Sequence, residues 1–547
     1  MQRLRRSGWL TPLRGLADVA RNANLRRLEL GWASGMTAEW AYFVALGIFA
    51  YRTGGTFAVG LVGLIRMLPS AIVAPFASVV GDRYRRQRVL TALQLAKTLA
   101  VGASAVAFFV GPAGVVYALA AFVGIALTLY WPIQSALLPW LAEEPHEIVS
   151  ANAASATIES LGTLVGPLVG GLVVAWTNPG VAFAVAAAAH LTGTVLLARI
   201  RVEGETARAA EIGGAELREL VVEPFETIAH EPAARLTTLL FWAQSLVRGA
   251  LNVLIVVSAL HLLHIGPSGV GYLTAAIGAG GLAGGVFAVG LVGRRVAVPF
   301  GFGLVFWGLP IAAIGLWPHA ASAVVFLAIL GAGNAVLDVS GVTLLQRVTP
   351  DEQLARVFGL MYGVAMGAVG VGSLLVSPLI AGLGTRAALV ATGALLPLLA
   401  LLSWRSLVAI DRKTTAPERE LRLLRGVPMF APLPLAAAEL LARKLHPVSA
   451  QAGTDLVREG EPGDRFYVVA SGELDVRHDG QALRTLHSGD FFGEIALLRD
   501  VPRTATVTVR DDALLYALDR DDFLRVVTGH AASEEAGKRV VTTRLQS

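Results

Sequence analysis

Long apolar runs fill the first three quarters of the chain and then stop. A hydrocarbon core of about 30 Å needs about 20 mostly apolar residues per helix, and on this criterion the pattern predicts twelve membrane-spanning helices before Ile410. Their approximate bounds are residues 30–51, 57–80, 89–110, 114–138, 153–176, 181–199, 237–262, 268–292, 297–316, 320–344, 357–382 and 387–409. The longest polar connection, residues 201–235, separates six helices from six. Such a division into two halves is typical of secondary transporters.

After residue 424 the pattern changes to short alternating strands separated by glycine turns. Strands are predicted at 466–470, 473–476, 504–509 and 513–517, with helices at 437–445 and 521–527. Many short strands with glycine turns favour a barrel or jelly roll. The predicted organisation is therefore multi-domain: a basic segment at 1–27, helical halves at 28–200 and 236–410 joined by 201–235, a charged linker at 411–424, and a β domain with flanking helices at 425–547.

The charge distribution follows the same division. Only 16% of the residues are charged, against about 25% in soluble proteins. Up to Ile410 there are 26 Lys/Arg and 19 Asp/Glu residues. The last 137 residues contain 19 Lys/Arg and 21 Asp/Glu. A tail with a net charge of −2 lacks the basic surface that binds nucleic acid, so no nucleic-acid partner is predicted. With no cysteine, no nucleophile–base set and no metal-ligand cluster, we predict neither an enzyme nor a metal site.

Arginine placement predicts the orientation. The connections after the second, sixth, eighth and tenth predicted helices are arginine-rich, whereas the opposite turns carry only Arg52 and Arg386. By the positive-inside rule both termini are cytoplasmic, in a multi-pass protein of the cell's inner membrane. Glu39 in the first helix argues against a cleaved signal sequence. The basic residues 1–27 are interpreted as a helix on the bilayer surface, with disorder as the alternative.

The loop after the second predicted helix carries an acid followed by a basic cluster. Its sequence, G-D-R-Y-R-R at residues 81–86, resembles the signature loop of the major facilitator superfamily, and the likeness covers about residues 25–410. The resemblance implies a clasp between the two halves formed by Asp82, Arg83 and Arg86. The alternative is a set of ordinary arginines at a cytoplasmic helix end.

The fifth predicted helix contains the pattern G-x-x-x-G-P-x-x-G-G. Its members are Gly162, Gly166, Pro167, Gly170 and Gly171. Glycines at four-residue spacing let helix backbones approach closely, so packing alone is one interpretation. The pattern is also similar to the element found in antiporters and exporters of the superfamily, which implies efflux. The cytoplasmic turns at 138–153 and 348–359 resemble those of the drug, siderophore and lysophospholipid exporter branches.

Four ionisable residues lie away from the ends of predicted helices: Glu39, Arg66, Arg248 and Asp338. A charge near the bilayer centre costs at least about 2.5–3.5 kcal/mol, so each is a candidate for function. Glu39 and Asp338 are candidates for coupling to protons or another ion, or for cation recognition. Arg248 is a candidate for holding an anionic head group or for countering one of these acids. The alternative is structural ion pairing, as between Glu39 and Arg66. Weaker candidates are Glu159 and Lys97.

The chemistry of the tail lies in F-G-E-I-A-L-L at 492–498, followed by Arg503. A glycine that opens a short helix lets backbone N–H groups face an anion, and the guanidinium of an arginine is a rigid fork for two phosphate oxygens. This stretch is similar to the phosphate-binding cassette of cyclic nucleotide-binding domains, with the likeness covering about residues 425–530. A degenerate cassette that no longer binds is the alternative.

The resemblance assigns a role to each cassette residue. Arg503 holds the cyclic phosphate, and Glu494 accepts a hydrogen bond from the ribose 2′-OH. Backbone contacts are implied for Gly493, Ile495 and Ala496. Family members with a threonine at the position of Thr504 prefer either guanine or adenine, so this residue does not decide the base. cAMP is favoured over cGMP only weakly. The last stretch, from residue 531, is long enough for a lid helix but too short for a winged-helix DNA reader.

These features together predict an exporter of a small amphipathic or lipid-like molecule. It would work by alternating access within the lipid bilayer, and cyclic nucleotide binding to the C-terminal domain would regulate it. The alternative is a receptor that does not transport and uses the transporter body as a membrane anchor. A ligand biases such an equilibrium only by its different affinity for the two states.

Overall fold

The computed structural model describes residues 19–74, 84–142, 145–202, 214–288, 296–349, 351–414, 418–433 and 435–546. These form two compact units, residues 1–414 and residues 415–547. Within the described residues, nine helices are long and apolar enough to cross a membrane. Most of the predicted N-terminal basic segment, residues 1–18, lies outside the described part of the chain.

The first helical half contains five helices. They are α1 (Ala23–Val73), α2 (Arg86–Val110), α3 (Ala113–Leu141), α4 (Pro145–Trp176) and α5 (Pro179–Ala198). The side chain of Asn22 caps α1 by accepting hydrogen bonds from the backbone of Asn24 and Leu25, as expected of an N-cap residue. Helix α1 is broken at Gly54 and Gly55, where Gly55 has a φ of 64°. Glycine adopts this left-handed conformation without a steric penalty, so the chain can change direction there. The two parts of α1 on either side of the break correspond to the first two predicted spans.

The second half follows a connecting helix, α6 (Gly214–His230). Its helices are α7 (Pro232–Val257), α8 (Gly266–Ala288), α9 (Ala297–Leu316), α10 (Ala320–Val348) and α11 (Asp351–Thr414). Helix α7 continues into a π-helical turn at Ser258–Leu262. Helix α11 breaks at Gly384, with a φ of 79°, and supplies the last two predicted spans. If α1 and α11 are each counted as two segments because of their breaks, the described residues contain six helical segments in each half.

Helix α11 runs past the predicted boundary at Ile410. Asp411, placed by sequence in the charged linker, is only 2% exposed. Its carboxylate accepts hydrogen bonds from the backbone N–H groups of Val296, Ala297 and Val298, at 2.8 to 2.9 Å. These donors have no partner within their own helix, so Asp411 caps the start of α9 from a neighbouring helix. This cap explains why a charged residue at the end of α11 is buried.

The two halves meet through α1 against α11 and through α4 against α8. At the second contact no side chains separate the backbones: a Cβ atom added to Gly171 would lie 2.9 Å from the Cα of Gly271. Gly171, the last residue of the glycine pattern of α4, thus lies at the interface between the halves.

The C-terminal unit is a jelly roll. Its strands are β1 (His446–Ala450), β2 (Asp455–Val457), β3 (Arg465–Ser471), β4 (Leu474–His478), β5 (Gln481–Leu486), β6 (Phe491–Phe492), β7 (Thr506–Val509) and β8 (Ala513–Asp519). They form two antiparallel four-stranded sheets, ordered β1-β8-β3-β6 and β2-β7-β4-β5. The accompanying helices are α12 (Glu418–Gly426), α13 (Leu435–Lys444), α14 (Glu494–Arg499), α15 (Arg520–Thr528) and α16 (Ala531–Gln546). The predicted multi-domain fold, twelve helical segments followed by a β domain with flanking helices, is confirmed.

Candidate functional site

The short helix α14 begins on a glycine that no other residue can replace without strain. Gly493 has a φ of 96°, and a Cβ atom there would lie 2.7 Å from both the carbonyl oxygen of Arg465 and Nη1 of Arg503. Both the conformation and the close approach require the absence of a side chain. The backbone N–H groups in the first turn of α14 have no partners within the helix and are available to an anion.

Arg503 lies beneath this turn and is only 5% exposed. Its guanidinium donates hydrogen bonds to the carbonyl oxygens of Gly493 at 3.3 Å and Arg465 at 2.8 Å. Nη2 also lies 3.3 Å from a carboxylate oxygen of Asp464, whose side chain is 73% exposed. Two backbone carbonyl groups therefore fix the arginine, and among the described residues it forms an ion pair only with the solvent-exposed carboxylate of Asp464.

Glu494 is the most buried charged group of the cassette, with 1% exposure. Its Oε1 accepts a hydrogen bond from Nη1 of Arg544 at 2.5 Å, while Oε2 has no hydrogen-bond partner among the described residues. Arg544 also donates to the carbonyl oxygen of Phe491 at 2.9 Å, and its guanidinium lies 4.1 Å from the centre of the Phe491 ring. Arg544 thus supplies the polar contact between the C-terminal helix α16 and the cassette, in addition to the apolar packing of Ala536 in the core.

The other predicted cassette residues surround the same turn. Ala496 is buried and Ile495 half-buried in α14, whereas Thr504 is exposed beside Arg503. Arg484 on β5 is within electrostatic range of Arg544: partial desolvation, and then the positive charge of Arg544, lower the pKa of Arg484 from its ordinary value. The structure brings the predicted residues together and adds Arg544, which the sequence analysis missed.

We predict that Arg544→Ala releases α16 from the cassette. The substitution leaves a buried carboxylate oxygen without its donor, which costs about 1–3 kcal/mol. Amide hydrogen exchange in residues 531–546 should become faster by roughly a factor of 5 to 150, because a free-energy loss of about 1–3 kcal/mol corresponds to this factor.

The matched control is Lys538→Ala on the same helix, which removes an exposed ion pair to Glu534. Surface pairs of this kind contribute about 0–1 kcal/mol, so exchange should change little. Equal acceleration by both substitutions would contradict the special role of Arg544.

The helical unit encloses a cavity of about 300 Å³ between its halves. Three of the four predicted intramembrane charges line it: Arg66 from the first half, and Arg248 and Asp338 from the second. The fourth, Glu39, is 3% exposed and forms an ion pair with Arg66. The structural pairing that the sequence left open as an alternative for these two residues is therefore present. Glu159, the weaker candidate, also lines the cavity.

The charges of the second half are joined by an amide. Asn334 accepts a hydrogen bond from Nη2 of Arg248 at 2.7 Å and donates one to Asp338 at 2.7 Å. Trp307 donates to the same amide oxygen at 2.8 Å, and its ring centre lies 5.8 Å from the guanidinium of Arg248. Sequence reasoning missed Asn334 and Trp307. The spacing of Asn334 four residues before Asp338, which places both on one helix face, was the available signal.

The predicted clasp falls largely outside the described residues. Asp82 and Arg83 are not described, and Arg86 is the first residue of α2. On the second half, Arg356 of α11 forms an ion pair of 2.8 Å with Glu223 of α6, which holds the connecting helix against α11.

Gly162, Gly166 and Gly170 of α4 all face α1. A Cβ atom at Gly170 would lie 2.5 Å from the carbonyl oxygen of Ala41, so neither backbone can accommodate it without moving. We predict that Gly170→Ala destabilises the helical unit by about 1–3 kcal/mol. Gly114→Ala is the control, because a Cβ atom there meets nothing within 4 Å. A thermal unfolding midpoint that falls only for Gly170→Ala is expected, and equal midpoints would refute the packing role.

Two helical halves around a charged cavity, followed by a β domain with an anion-binding turn, define a transporter-like membrane protein with a ligand-binding domain. Residues 30–247 and 237–448 match the family model of the Major Facilitator Superfamily, and the chain belongs to this family. Residues 447–530 match the cyclic nucleotide-binding domain. Both resemblances drawn from the sequence are confirmed.

Individual relatives cover one part or the other. The regulatory subunit of cAMP-dependent protein kinase from Yarrowia lipolytica is 41% identical over 106 residues, which are 19% of this chain and 28% of that protein. The corresponding subunit from Dictyostelium discoideum is 43% identical over 94 residues, 16% of this chain and 29% of that protein. This chain thus spans less than a third of either relative.

The helical unit also resembles a solved structure. A POT family transporter, crystallised with a thioalcohol-conjugated peptide, matches with a TM-score of 0.59 at 14% identity, over 70% of this chain and 96% of that chain. At this identity the match shows the fold alone.

Proposed function

We propose that the protein is a secondary transporter that exports a small amphipathic or lipid-like molecule and is regulated by cAMP binding to its C-terminal domain. The observation that carries the proposal is the combination, in one chain, of a cavity between two helical halves with an intact arginine–glutamate cassette. A cavity bounded by both halves is the site that alternating access requires.

The cassette supports a cyclic nucleotide as its ligand. The fixed guanidinium of Arg503 offers a bidentate contact to the two exocyclic phosphate oxygens, with the displaced Asp464 carboxylate returning to solvent. Glu494 Oε2 is a buried acceptor with no partner in the described chain, and a ribose 2′-OH is a donor that would satisfy it. The backbone N–H groups at Glu494, Ile495 and Ala496 would face the phosphate.

One observation favours cAMP over cGMP: the relatives of the C-terminal domain are named as regulatory subunits of cAMP-dependent protein kinase. Thr504, exposed beside Arg503, is compatible with either base. Binding would reach the transporter through the cassette, α16 and the helices that precede the β domain. The size of the effect is set by the difference in nucleotide affinity between the transporter's states.

Export is favoured by the glycine–proline pattern of α4. Its residues 162–171 lie against α1 on one side and against α8 of the other half on another, so the pattern is located where the halves must move.

Protons, or another ion, would drive the movement. Asp338 is the best-placed coupling group, because it lines the cavity and is held by Asn334.

We expect Asp338→Asn to abolish proton-driven flux in proteoliposomes while the protein remains folded, since an amide cannot release a proton. Substrate counterflow, which needs no coupling ion, should persist once the substrate concentration is raised to offset any loss of affinity. Unchanged pH-driven transport in Asp338→Asn would refute the coupling role.

The proposal is tested by flux in proteoliposomes with and without internal cAMP, for the wild type and for Arg503→Ala. We expect flux that depends on cAMP in the wild type and does not respond to it in Arg503→Ala. The division into two compact units suits the alternative, a receptor that does not transport. Nucleotide binding without flux of any tested compound would favour that alternative.

A further inference from the structure

The cavity between the halves has an excess of negative charge on one wall. Glu159 from α4 and Asp338 from α10 both line it and are close enough to repel one another. Asp338 shares Asn334 with Arg248, so these two opposite charges balance. Within the described part of the chain, the Glu159 carboxylate has no hydrogen bond or ion pair. The net formal charge of Arg248, Asp338 and Glu159 together is therefore −1.

The positive charges of the two cavity arginines lie beside acids of the same cavity region. Arg66 forms an ion pair with Glu39. Nη2 of Arg248 donates to Asn334, which also holds Asp338, and the guanidinium lies near the ring of Trp307. A ligand's anionic group placed at Arg248 would therefore also meet the carboxylates of Asp338 and Glu159, which line the same cavity.

Most of the remaining lining is apolar or aromatic, with a few uncharged polar side chains such as Asn252 and Thr274. Trp40, Phe43 and Trp307 line it together with aliphatic side chains from both halves. Outside this lining, Tyr362 of α11 is within electrostatic range of Glu159 and Asp338. Aromatic faces attract organic cations as well as apolar groups. The volume of about 300 Å³ lies at the small end of the range of about 300–1,000 Å³ that ligand sites occupy.

We propose that this cavity binds a small organic monocation, an ammonium-type group placed between Glu159 and Asp338 with an aromatic or branched apolar body against Trp40 and Phe43. The inference rests on the proposed transport function and names its substrate class. Because Glu159 belongs to the first half and Asp338 to the second, the cation would contact both halves at once. Its binding would therefore depend on how closely they approach.

The test uses benzyltrimethylammonium and its anionic counterpart phenylmethanesulfonate, titrated calorimetrically into the purified full-length protein. The ammonium should bind, the sulfonate should not, and Glu159→Gln should weaken ammonium binding at least tenfold. Glu231→Gln is the matched control, since Glu231 is an exposed carboxylate before α7 and should leave the affinity unchanged. Asp338→Asn provides a second cavity variant, with thermal unfolding recorded for each protein.

Three results would overturn the proposal: stronger binding of the sulfonate, no binding of either probe, or equal ammonium affinity in the wild type and Glu159→Gln. Flux of the bound probe separates this inference from the proposed function. cAMP-dependent transport of the sulfonate would refute the cation site and leave the transporter standing. Tight, Glu159-dependent ammonium binding without any flux would leave the site standing and refute transport.

Discussion

Arg503→Ala should reduce the affinity of the full-length protein for cAMP by about 30- to 3,000-fold. Arg503 is buried, and the carbonyl groups of Gly493 and Arg465 hold it in place. Losing one partner of a buried charge pair costs about 2–5 kcal/mol, and every 1.4 kcal/mol is a factor of ten. Calorimetric titration of cAMP into wild type and variant measures the effect.

Two further variants separate binding from folding. Arg503→Lys keeps the positive charge but loses the planar fork, so it should bind cAMP more weakly than the wild type and more tightly than Arg503→Ala. Arg510→Ala removes an exposed arginine that pairs with Glu473 and should leave binding unchanged. Wild-type affinity in Arg503→Ala would mean that the nucleotide, if it binds, lies elsewhere.

Glu39→Gln should be the most destabilising single change in the helical unit, at about 3–5 kcal/mol. It leaves the guanidinium of Arg66, which is 5% exposed, without its counter-charge inside the protein. Breaking a buried pair costs this much, whereas replacing both partners by apolar residues is often neutral. Thermal unfolding in detergent should therefore show a large loss for Glu39→Gln and a recovery for Glu39→Leu combined with Arg66→Met.

The double variant, Glu39→Leu with Arg66→Met, also distinguishes a structural role of the ion pair from a role in proton coupling. If the pair is only structural, the stable double variant should transport normally. If Glu39 carries protons, the double variant should be stable but lose proton-driven flux. Equal stability of Glu39→Gln and the wild type would contradict the ion pair itself.

The parts of this structure that could be predicted from sequence are those fixed by local rules. Twelve helical segments follow from hydropathy, because every backbone polar group must be satisfied within a helix that crosses lipid. The cassette was predictable because Gly493, Glu494 and Arg503 lie within eleven residues and Gly493 needs its left-handed conformation.

What the sequence did not reveal depends on contacts between distant segments. Arg544 reaches Glu494 across 50 positions, and the last arginine of a polar helix carries no local sign of this role. Asp411 was assigned to a linker because its neighbours are charged, yet it caps the start of α9 from another helix. For Glu39 the residue type indicated either coupling or pairing, and only the packing of the broken helix α1 brings Arg66 beside it.

We expect nucleotide binding in the β domain to change the equilibrium between conformations of the helical unit. The chain has no cysteine, so Ser135→Cys on α3 and Gln346→Cys on α10, both exposed, provide one spin label in each half. The distance distribution between the labels is measured by pulsed electron resonance in lipid nanodiscs, with and without cAMP. We expect cAMP to shift the populations in this background and to leave them unchanged when Arg503→Ala is added. Identical distributions with cAMP bound, as verified by titration of the same sample, would show that nucleotide binding does not change the equilibrium of the helical unit.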